Sequence, residues 1–112
     1  MNYSYKGIGE LTASFAVKNG ETLTEGTAVK LSAPGEVSAC ASGDRIVGIV
    51  RACRGGCAAV QLRGAAEVKC SGTAPAAGYA ALTADGDGGI CAGGSVDYLV
   101  LDSQDGCAVI ML

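Results

Sequence analysis

Short runs of alternating apolar and polar positions, separated by glycine-bearing turns, fill most of the chain. Val29 and Leu31 fall on one face of an extended segment, with Ala28, Lys30 and Ser32 on the other. Ala58, Val60 and Leu62 oppose Cys57, Ala59, Gln61 and Arg63 in the same way, and Ala66, Val68 and Cys70 oppose Ala65, Glu67 and Lys69. A period of two places successive side chains on opposite faces, so each run predicts a half-buried strand. Ile46–Val50, Tyr98–Leu101 and Cys107–Leu112 are apolar at both parities. They predict central strands covered on each side.

Asn19-Gly20, Pro34-Gly35, Ser42-Gly43, Arg54-Gly55-Gly56, Asp85-Gly86-Asp87-Gly88-Gly89 and Asp105-Gly106 punctuate these runs. Several are dipeptides that favour tight hairpins, because glycine, Asn and Asp tolerate positive φ. Only Ala74–Leu82 has helix-forming composition, and Pro75 and Gly78 limit it to one turn before a strand. The chain is read as all-β, a small barrel or sandwich of short antiparallel strands.

An internal repeat runs through the pattern. Gly56-Cys57-Ala58-Ala59-Val60-Gln61-Leu62 matches Gly106-Cys107-Ala108-Val109-Ile110-Met111-Leu112 at an offset of 50, and Leu31–Gly35 matches Leu82–Gly86 at an offset of 51. Two quasi-repeats, about 26–62 and 78–112, are therefore expected to pack together and close one barrel or sandwich. The expected organisation is an N-terminal arm and first strand over 1–18, followed by one all-β domain over 19–112.

Composition changes this picture mainly through the core. The 112 residues allow one domain. Alanine (19) and glycine (18) fill a third of the chain, while Val, Ile, Leu and Phe together number 24. The core should be thin, and surface buried between subunits would offset the deficit.

A net charge of −3 with scattered Lys and Arg argues against a nucleic-acid partner. No apolar run is long enough to span a membrane, and Met1–Lys6 does not open into an apolar signal stretch. Synthesis in a cytoplasm is the default expectation.

The chain has no histidine, which removes Ser-His-Asp and Cys-His catalysis together. Gly7-Ile8-Gly9 lacks a third glycine at the dinucleotide-binding spacing, and no phosphate-binding loop is present. Asp85–Gly89 begins like a calcium loop but lacks later acidic ligands, so a glycine-rich hairpin accounts for it better. Asp97 and Asp102 are expected on opposite faces of a strand, which separates them as an acid/base pair. No catalytic residue, metal ligand or cofactor is therefore assigned.

Six cysteines stand at 40, 53, 57, 70, 91 and 107. Cys53-x-x-x-Cys57 has zinc-like spacing but no second pair follows, so reduced thiols used as small core hydrophobes are preferred to a zinc or redox site. Tyr3, Tyr5, Ile8, Leu11 and Phe15 form an aromatic-bearing N-terminal segment that either completes the core or docks on a neighbouring molecule.

Gly26-Thr27-Ala28-Val29-Lys30-Leu31, the glycine of Ile46-Val47-Gly48-Ile49-Val50, the stretch Gly56–Gly64 and Gly78-Tyr79-Ala80-Ala81-Leu82 together resemble small head-decoration proteins of tailed phages. The resemblance covers roughly Thr22 to Leu112 and rests on strand and glycine spacing. Some proteins of that family carry a RecA/RadA-like recombinase label, which the missing phosphate loop makes unsuitable here. The six cysteines and the tyrosine-bearing start depart from the family pattern. The resemblance implies a non-enzymatic structural protein that forms a homo-oligomer, with a trimer favoured. It further implies binding to the major capsid protein on the outer surface of the virion capsid, after synthesis in the bacterial host cytoplasm.

Two other classes compete with that reading. A small β-barrel binding or carrier module of the lipoyl type would need a lysine at a hairpin tip, and Lys18 beside Asn19-Gly20 is the nearest candidate. A cysteine-based zinc or redox protein is the other alternative.

Overall fold

A computed structural model describes residues 10–72, 75–104 and 106–112. Nine strands follow in order: β1 (Leu11–Val17), β2 (Ala28–Ala33), β3 (Glu36–Ala39), β4 (Gly48–Arg54), β5 (Cys57–Arg63), β6 (Ala65–Lys69), β7 (Gly78–Ala84), β8 (Ile90–Gln104) and β9 (Cys107–Met111). The architecture is all-β, as the alternation predicts. β1 to β5 form a closed barrel in the order β1-β3-β2-β4-β5, and the remaining strands form a sheet in the order β6-β9-β8-β7.

Four expectations are corrected at this level. The barrel is not closed by two halves acting jointly; the first half closes alone, because β1 pairs with both β5 and β3. The β1–β3 pairing is parallel, whereas antiparallel strands were expected throughout. Asn19-Gly20 is not a hairpin turn, since β3 lies between β1 and β2 in the barrel. The described part of the Ala74–Leu82 stretch has no helical turn, and β7 begins at Gly78.

The two double-apolar hairpins repeat each other pair for pair. In β4–β5, Ile49 faces Gln61, Val50 faces Val60 and Ala52 faces Ala59. In β8–β9, Leu99 faces Met111, Val100 faces Ile110 and Asp102 faces Val109, each pair fifty residues further on. Even the register shift recurs, between Val50 and Ala52 and between Val100 and Asp102. The flanking strands follow suit: β1 pairs antiparallel with β5, and β6 with β9. The β1–β3 parallel contact at Ala16 and Glu36 has a counterpart in the bridge between Cys70 and Ile90. Gly55 (φ 58) and Gly56 (φ 81) form the two-residue loop that joins the paired Arg54 and Cys57. Positive φ at both central positions is what a tight hairpin with right-handed strand twist demands.

Side-chain alternation splits the interior into two clusters. Leu23, Val29, Val37, Val50, Ala58 and Val60 fill the barrel, with Phe15 and Val17 packed against them. Ala28 and Ile49, on the outer face of β2 and β4, meet Ala66, Leu82, Ile90, Val100 and Ile110 of the sheet. β2 and β4 are thus covered on both faces where they start, which accounts for the continuous apolar run Ile46–Val50.

Direct hydrogen bonds stitch the seam. The Ala28 N–H donates to Gly88 O at 2.9 Å, Gly43 N–H to Ala84 O at 2.9 Å, and the Thr83 hydroxyl to Asp44 O at 3.0 Å. Gln61 holds the crossover between the units. Fully buried, it donates through Nε2 to Arg63 O (3.0 Å) and Ala65 O (2.8 Å), while its Oε1 has no partner.

Candidate interface

Pairing across the sheet decides which side chains remain on its surface. Partners in register point to the same face, so Gly78, Val100, Ile110 and Ala66 form one row and Tyr79, Leu99, Met111 and Ala65 the next. The first row carries the buried Val100, Ile110 and Ala66. The second opens outward at Tyr79, 77% exposed, and at the half-buried Leu99 and Met111, while Ala65 at its end is buried. An outward row on a solvated sheet would ordinarily be polar. Here it is an apolar stripe.

That stripe forms one wall of an open groove of about 960 Å³, whose other wall comes from the barrel through Leu11, Arg45, Val47, Leu62 and Arg63. Leu11 is 55% exposed and pairs with Arg63 across β1–β5. Both repeats contribute equivalent positions to the groove: Ile46 and Val96, Val47 and Asp97, Leu62 and Leu112, each pair separated by fifty residues. The groove therefore lies where the two repeated units meet.

The N-terminal residues divide unevenly around it. Phe15 packs on the barrel core, so this position completes the interior. Leu11 instead stays at the surface and lines the groove. Tyr3, Tyr5 and Ile8 lie outside the described residues.

Sequence reasoning missed Tyr79, Leu99, Met111, Leu62 and Leu112 as surface positions. Tyr98–Leu101 and Cys107–Leu112 were expected to be covered on each side; the structure buries Tyr98, Val100 and Ala108–Ile110, but leaves Leu99, Met111 and Leu112 half-buried along the groove. The available signal was an excess: both runs carry more apolar positions than one buried face needs.

Elsewhere, titratable groups serve the fold. Lys30 and Asp44 form an ion pair at 2.7 Å, and the Asp44 carboxylate also accepts the Ala41 N–H at 2.8 Å. The lysine hydrogen bond, with that of the Ala41 amide, holds Asp44 below its ordinary range, and the same bond raises Lys30. Beside them, burial pushes the Cys40 thiol up to about 11, with the Asp44 charge adding to the effect.

Asp85 is spent on its own hairpin. Its Oδ1 accepts the N–H groups of Asp87 (2.7 Å) and Gly89 (3.0 Å), and its Oδ2 accepts the Ser71 hydroxyl. Burial opposes the charge there, but the three donors outweigh it and hold the carboxyl below its usual value. The glycine-rich hairpin expected at Asp85–Gly89 is thus an Asx-type turn.

Other sequence candidates are separated or re-aimed. Cys53 faces the barrel interior beside the buried Ala58, while Cys57, paired with Arg54, is exposed on the opposite face. The zinc-like spacing therefore does not converge. Lys18 follows β1 in a segment whose N–H groups tie it back, Lys18 to Val37 O and Glu21 to Lys18 O, and it does not stand at a hairpin tip. Asp97 and Asp102 were expected on opposite faces. The register shift after Val100 inverts the alternation and turns both outward, where they line separate hollows.

No family model matches the chain, and no curated protein is significantly similar to it.

Proposed function

We propose that this chain is a non-enzymatic structural protein that self-associates, with a trimer favoured, and binds the outer surface of a phage capsid to stabilise it. The observation that supports the reading is the apolar groove at the junction of the repeated units. Leu11 and Tyr79, two of the three large hydrophobics most exposed among the described residues, line it. Large exposed apolar side chains gathered in one place mark interaction surfaces, and Tyr is an effective anchor there.

The thin interior points the same way. The largest fully buried side chains are Ile, Val and one Gln, with no Leu, Phe or Met among them. At about 25 cal/mol per Å² of apolar surface, further burial between chains adds stability that such a core lacks. In this reading the protein is made in the bacterial host cytoplasm and resides on the virion surface, with the major capsid protein as its partner.

Co-sedimentation of the purified chain with expanded shells of major capsid protein tests the reading. Saturable binding and a raised shell melting temperature are expected. Absence of the chain from the shell pellet at micromolar concentration would overturn it.

A further inference from the structure

We infer that the groove between the barrel and the sheet is the site at which a second copy of this chain docks, with Asp97 of one copy set against Arg63 of the other. The inference rests on the self-association proposed above and names the surface that performs it.

The groove carries both signs of charge around its apolar floor. Arg63 enters from β5 of the barrel, Arg45 from the segment leading into β4, and Asp97 from the sheet, all exposed. Among the described residues the ion pair formed is Lys30–Asp44, away from this surface, and none of these three charges is in an ion pair with another described residue. A surface that bears an exposed aromatic anchor, an apolar stripe and unpaired charges of opposite sign is complementary to itself. Copies arranged so that the sheet wall of one meets the barrel wall of the next can bury Tyr79, Leu11 and Leu99 and still pair Asp97 with Arg63 at each contact, and a ring of three closes the series. Burying the stripe against a partner of one charge sign would leave either Asp97 or the two arginines desolvated and unmatched, which opposes association.

Charge reversal tests the arrangement without touching the core. Asp97→Arg places a third cation in the groove and is expected to raise the dissociation constant of the oligomer by about tenfold or more, read by sedimentation velocity across a dilution series. Asp97→Arg combined with Arg63→Asp restores opposite signs and is expected to recover most of the lost association. Thermal melting and far-UV circular dichroism of the variants at matched concentration establish that each is folded.

Three results would overturn the inference. One is an Asp97→Arg variant that associates like wild type; another is a double variant that stays dissociated. The third is an Asp97→Arg variant that keeps its oligomeric mass but no longer pellets with capsid shells, which would assign the groove to the capsid protein and leave the proposed function intact. A wild-type chain that is itself monomeric would refute the self-association reading before the groove is reached.

Discussion

Gly48 is the position where the barrel is least able to accept an added atom. It opens β4, pairs with Val29 of β2, and lies against β5. A Cβ built there would sit 2.5 Å from Val60 Cγ1 and closer still to the Gln61 carbonyl oxygen. Neither obstacle can swing aside. Val60 is a fully buried β-branched side chain in the barrel core, and Gln61 O belongs to the backbone of a paired strand. Gly48→Ala must therefore move β4 away from β5 or from β2. Overpacking of a filled core costs about 1–3 kcal/mol, and rigid obstacles place this case near the upper end. For a chain of this size, about 3 kcal/mol lowers the melting temperature by roughly 12 °C and removes a large part of the 5–15 kcal/mol typical of a domain.

The assay is urea denaturation at fixed protein concentration, with the midpoint compared at unchanged slope. Gly20→Ala separates this steric cause from backbone conformation. Gly20 has a φ of +86° but no atom within 4 Å of its would-be Cβ. Its replacement should cost only about 1–2 kcal/mol, the price of a left-handed residue. A Gly48→Ala variant less than 1 kcal/mol below wild type, or one milder than Gly20→Ala, would refute the close-packing reasoning.

Two further outcomes follow from the titrating groups. Cys40 ionises at an ordinary 9.0 in the unfolded chain but only near 11 in the fold. The folded state holds its proton longer, so stability is intact below pH 9 and falls as pH rises from 9 towards 11, by up to about 2–3 kcal/mol. Cys40→Ala should flatten that alkaline decline in a melting series, whereas an unchanged slope would show that other groups cause it. Asp85→Ala removes the acceptor for two backbone N–H groups and the Ser71 hydroxyl, and should lower stability by about 1–2 kcal/mol. Millimolar calcium should leave the wild-type melting temperature unchanged, since the carboxylate oxygens already have partners; a calcium-dependent rise would restore the ion-loop reading.

The all-β class and the Gly-Cys-Ala hairpins were legible because period two and fifty-residue self-similarity are local properties. The sequence blocks at 56–62 and 106–112 correspond to β5 and β9, whose hairpins share one register. Less legible was the role of β1. It closes the barrel by pairing with β5 and with β3 in parallel, and such non-local partners leave no mark in neighbouring residues. Asn19-Gly20 carries the dipeptide of a hairpin turn, yet β3 occupies the place that β2 would need.

Gln61 shows another limit of alternation. Its parity predicts a solvated side chain, but the β5–β6 crossover buries it, with the Arg63 and Ala65 carbonyls as acceptors. The groove escaped for a related reason. An apolar residue opposite a buried face reads as covered, and only the cross-strand row shows Tyr79, Leu99 and Met111 left open. Asp102 turned outward because one register shift inverts the pleat, and nothing in Leu101-Asp102-Ser103 announces it.

The molar mass of the purified chain in solution, by light scattering behind size-exclusion chromatography at micromolar concentration, tests the central claim most directly. Self-association through the groove predicts a multiple of the 11.0 kDa chain mass, with three copies favoured. A single monodisperse species of one chain, stable on concentration, would contradict it.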